Sequence, residues 1–95
     1  MRKDYNMNIE QIKTELQNVL SLPFICVYDK GEDLYIVQIF NAKGNKENYK
    51  NIIYDLEDKI FPNQESSFSV IVYNTKETKQ YFPDYLEYAS QKFVI

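Results

Sequence analysis

Phe24-Ile-Cys-Val-Tyr-Asp-Lys-Gly-Glu-Asp-Leu-Tyr-Ile-Val-Gln-Ile-Phe40 is the stretch that sets the architecture. Two runs rich in β-branched and aromatic residues, Phe24–Tyr28 and Leu34–Phe40, flank Asp29-Lys-Gly-Glu32, a turn in which Gly31 is free to take a positive φ. The pair reads as an antiparallel β-hairpin. Its second strand, from Asp33 to about Asn41, is apolar on both sides, with Leu34, Ile36 and Phe40 on one and Tyr35, Val37 and Ile39 on the other. A half-exposed strand would alternate with polar residues. Either this strand is central and covered on both sides, or one face awaits a partner.

Reading outward, Ile9, Ile12, Leu16, Val19 and Leu20 form one apolar stripe and predict a helix from about Asn8 to Leu20. Asn8 with Gln11 supplies its capping box, and Pro23 stops it. After the hairpin, Tyr49, Ile52, Ile53, Leu56 and Ile60 predict a second helix over Lys46–Ile60, capped by Asn45 and ended by Pro62. Phe68–Tyr73 reads as a third strand. Asn74 with Glu77 opens a third helix whose stripe continues through Tyr81, Phe82, Tyr85, Leu86, Ala89 and Phe93, with a break expected at Pro83. Phe93–Ile95 is expected to add a short strand or pack as a tail.

The order α-β-β-α-β-α predicts an α+β fold. Its sheet has three strands, or four with the tail, mainly antiparallel, with helices packed on it. The crossover through the second helix returns the third strand parallel to the second; pairing beside the first strand would instead give an antiparallel sheet. At 95 residues the chain is one domain, 1–95. A domain of this size buries roughly 60 to 70 % of its unfolded surface, enough for one core.

The composition excludes much. There is no histidine, one cysteine (Cys26) and two glycines, against nine tyrosines. Nucleophilic catalysis lacks its usual base, and Cys26 lies in an apolar strand where thiols are inert packing groups. Zinc lacks ligands. Gly31 and Gly44 lie too far apart to cradle a phosphate. Asp29, Glu32 and Asp33 could offer oxygens to Mg2+ or Ca2+ as the centre of a divalent-metal enzyme, but they carry no calcium-loop spacing and are ordinary turn residues. The nuclease arrangement of Asp on one strand and Glu-x-Lys on the next finds its nearest match in Asp33 with Asn41-Ala-Lys43. There Asn replaces the glutamate and both halves share a strand, so the likeness fails.

The net charge is −3, and basic residues are scattered through both halves, so direct nucleic-acid binding is not expected. The uncharged stretch Leu16–Tyr28 is too short to span a membrane. Met1-Arg-Lys-Asp-Tyr-Asn6 has no apolar run behind its charges, so the expectation is no signal peptide and a cytoplasmic location. Lys, Asn, Ile and Tyr share AT-rich codons, pointing to a low-GC bacterium or its phages or plasmids.

What remains is a protein-binding constellation. Tyr54, Asp55 and Asp58 share the outer face of the second helix, and Asp84 and Tyr88 mark a further acidic and aromatic surface. Tyrosine gives large contact area with few rotors to freeze, and carboxylates steer towards a basic surface. The expectation is therefore a non-enzymatic, cofactor-free and metal-free acidic module. It would act as an inhibitor, antitoxin, immunity protein or phage antagonist of a basic, nucleic-acid-handling protein. The alternative is a homo-oligomeric structural or accessory subunit, a homodimer among the options, assembled through the two-sided hairpin.

Overall fold

The hairpin forms around the carboxylate of Asp29. The structure, a computed structural model, describes residues 9–64 and 66–85. Strands β1 (Phe24–Asp29) and β2 (Leu34–Ala42) pair antiparallel from Phe24↔Ile39 to Asp29↔Leu34. Between them, the N–H groups of Gly31 and Glu32 donate to Asp29 Oδ1 at 3.0 and 3.3 Å. The positive φ of this turn falls on Asp33 (55°) and not on Gly31, which corrects the expectation. Aspartate is among the few side chains that enter the left-handed region readily.

Strand β3 (Ser67–Asn74) joins the other edge of β2 in parallel, from Leu34↔Ser67 to Ala42↔Asn74. The order β1-β2-β3 makes β2 central and the sheet mixed; the arrangement with β3 beside β1 is not adopted. A parallel neighbour needs a crossover, and helix α2 (Lys46–Ile60) supplies it. Asn45 caps α2 by accepting from the Glu47 N–H at 2.9 Å.

Helix α1 (Ile9–Val19) and α2 cover one face of the sheet. Phe24 and Cys26, Tyr35, Val37 and Ile39, and Phe68, Val70 and Val72 point from the three strands into a core closed by Ile12, Leu16, Leu20, Ile53, Leu56 and Ile60. Among the described side chains of these two stripes, Val19 and Ile52 stay outside it and are exposed. Lys13 is buried at 4 % exposure, its ammonium 3.3 Å from Glu10 Oε2, so its alkyl stem packs as an apolar residue would. Burial pushes the Cys26 thiol up to about 12, with Lys13 pulling more weakly the other way.

The other face carries a separate aromatic cluster at one end. Helix α3 (Thr75–Tyr81) begins with the Asn74–Glu77 capping box and stops before Pro83. The rings of Phe82 and Tyr85 follow and meet Phe40 at 5.2 and 5.7 Å, while Tyr73 stacks on Phe40 at 5.6 Å. Phe40 faces this side by the alternation of β2, and an irregularity between Ile39 and Ala42 then puts Asn41 at φ 65°, after which Ala42 returns to the core. The bulged Asn41 N–H donates to Thr78 Oγ1 at 2.8 Å, and Thr78 Oγ1 donates to Asn74 O at 2.7 Å. The Asn8 cap, Tyr88 and the Phe93–Ile95 strand fall outside the described residues. No helix among the described residues is long and apolar enough to cross a membrane.

Candidate functional site, an acidic concavity

The parallel pairing of β2 and β3 has a consequence at their N-terminal ends. It brings the hairpin turn beside the start of β3, where the last turn of α2 also arrives. Leu34 pairs with Ser67, and Ser66 Oγ donates to the Asp33 carbonyl at 2.8 Å. From above, Glu57 Oε1 accepts from the Phe68 N–H at 2.9 Å, pinning the end of α2 to β3. Between these elements lies a concavity of about 410 Å³. Its lining includes Glu32 and Asp33 from the turn, Glu57 and Asp58 from α2, and Phe61, which caps the helix. Gln64, Ser66 and Ser67 add to the wall, and among the described residues none in the lining is Lys or Arg.

The ring of Phe61 lines the concavity, and it is backed by an aromatic group outside the lining. Phe61 stacks on Tyr35 with ring centroids 5.7 Å apart and meets Phe68 at 5.6 Å. Tyr28 extends this group outward, 4.8 Å from Tyr35, and its hydroxyl donates to Asp33 Oδ1 at 2.8 Å. That hydrogen bond, first among several causes, raises the Tyr28 phenol above its ordinary value. Tyr28 is 40 % exposed, so an aromatic ring stands at the rim beside the carboxylates.

The electrostatics of the concavity are unbalanced. Glu57 and Asp58 sit in the last turn of α2, where the helix carries partial negative charge and carboxylates are disfavoured. Glu32 and Asp33 add two more across the gap. Lys59, the basic residue of that turn, reaches instead towards Glu15 at 3.7 Å. Among the described residues, none of the four carboxylates takes part in an ion pair. Asp33 and Gln64, both in the lining, also hold positive φ values of 55° and 59°. Aspartate enters this region readily, whereas at Gln64 such backbone costs about 1–3 kcal/mol.

The residues singled out from sequence divide between two places. Tyr54, Asp55 and Asp58 share the solvent face of α2: all three are exposed, and Asp58 reaches the concavity. Asp84 is exposed too, but it lies between Phe82 and Tyr85, whose rings pack on the opposite face of the sheet. The carboxylates once weighed as metal ligands do other work. Asp29 builds the turn and Asp33 receives Tyr28. Among the described residues, no group of three or more acidic, Cys or His side chains is placed to hold a metal ion. Glu57, Gln64 and Phe61 were missed as site residues, because their convergence with the turn appears only once the parallel ladder is drawn. No family model, curated protein or solved structure matches the chain.

Proposed function

We propose that the protein is an acidic binding module that acts by contact, covering a Lys- or Arg-bearing surface of another protein in the cytoplasm. The observation carrying this reading is the concavity of four carboxylates set at the negative end of a helix, with no cation among the described residues lining it. An incoming ammonium or guanidinium would meet charge the fold has gathered but not neutralised, and Arg would find bidentate acceptors. Tyr54, one helical turn before Asp58, and Tyr28 at the rim would add aromatic contact beside the charges. Asp55 extends the same helix face. Asp84 belongs to a second, separate contact, as does Tyr88.

Basic surfaces are typical of proteins that handle nucleic acids, and blocking one needs no chemistry. The role that follows is a stoichiometric inhibitor: an antitoxin, an immunity protein or an antagonist carried by a phage or another mobile element. The scarcity of catalytic residue types supports action by binding and not by turnover.

Co-purification of the tagged chain from a low-GC bacterial extract tests the reading. One dominant basic partner in equimolar amount is expected, released by Asp58→Lys and by about 0.5 M NaCl, where screening is short-ranged. It should be retained by Asp84→Asn. Capture indifferent to Asp58→Lys, or substrate turnover by the pure protein, would overturn it.

A further inference from the structure

We draw no further inference here: the strongest candidate, the open part of the sheet face around Val27, Ile36 and Ile71 on the side away from α1 and α2, carries none, because nothing in the structure shows what covers it.

Discussion

The two ends of β2 treat their acidic side chains in opposite ways. At the Ala42 end, Glu77 completes the capping box by accepting from the Asn74 N–H at 2.9 Å and meets Lys46 Nζ at 2.7 Å. Those two contacts, the lysine first, hold its carboxyl below the ordinary value. At the Leu34 end, four carboxylates surround a gap at the wrong pole of α2, and no ion pair among the described residues relieves them. The first end spends its acid on structure: it ties α2 to α3 and closes a helix. At the second, Glu57 and Asp33 accept hydrogen bonds from the Phe68 N–H and the Tyr28 hydroxyl, but among the described residues no cation answers the four charges.

The comparison can be broken at several depths. Ile39 lies midway along β2 with no exposure, in the core that both ends share. Ile39→Ala should cost about 2–5 kcal/mol in urea unfolding, the range for large-to-small core changes. A much smaller loss would mean that the two ends do not rest on one core. At the paired end, Thr78→Val leaves the Asn41 N–H without its acceptor and should cost about 1–3 kcal/mol. Chemical denaturation of that variant measures how strongly the Asn41 bulge and α3 are held.

At the open end the sign should reverse. Asp58→Lys replaces an unpaired carboxylate at a helix C-terminus with a cation, and stability should rise by about 0.3–1 kcal/mol. A thermal melt showing a loss instead would mean that Asp58 holds the fold together, and the contrast between the ends would vanish. The smallest effect is one of pH. Because the folded-state carboxyl of Glu77 is depressed, its contribution is complete above the ordinary glutamate value of about 4.3 and fades as pH falls through the lower folded-state value. Urea midpoints of the parent and Glu77→Gln should therefore converge as the solution is acidified. A gap that stays constant down to strong acid would assign the glutamate a packing role.

Most of the fold is legible in residue order. The stripe of α2 and its Asn45 cap give Lys46–Ile60 to the residue, since cap chemistry and periodicity agree there. The Asn74–Glu77 box announces α3, and Pro83 marks where its helical stripe cannot continue. Local rules fail where a contact from elsewhere decides. Gly31 carries the turn's conformational freedom in sequence, yet the Asp29 carboxylate organises the turn so that Asp33 takes the left-handed conformation. Ile52 belongs to the stripe of α2 by spacing but lies exposed.

The concavity was legible only in part. Asp58 is visible as an exposed acid beside Tyr54 on one helix face, but Glu32 and Asp33 read as turn residues and Glu57 as a solvated charge. They meet because a parallel crossover must return the chain to the strand's starting end, which is where the hairpin turn sits. That inference follows from topology, and no motif or spacing in the chain encodes it.

The claim that the unpaired acids form one cation-accepting surface can be tested without knowing the partner. In a nuclear magnetic resonance titration with a short poly-arginine peptide, amide shifts should concentrate at Glu32, Asp33, Glu57, Asp58 and Gln64 and disappear in Asp58→Lys. Shifts spread evenly over every exposed carboxylate, or centred on Asp84, would contradict the account.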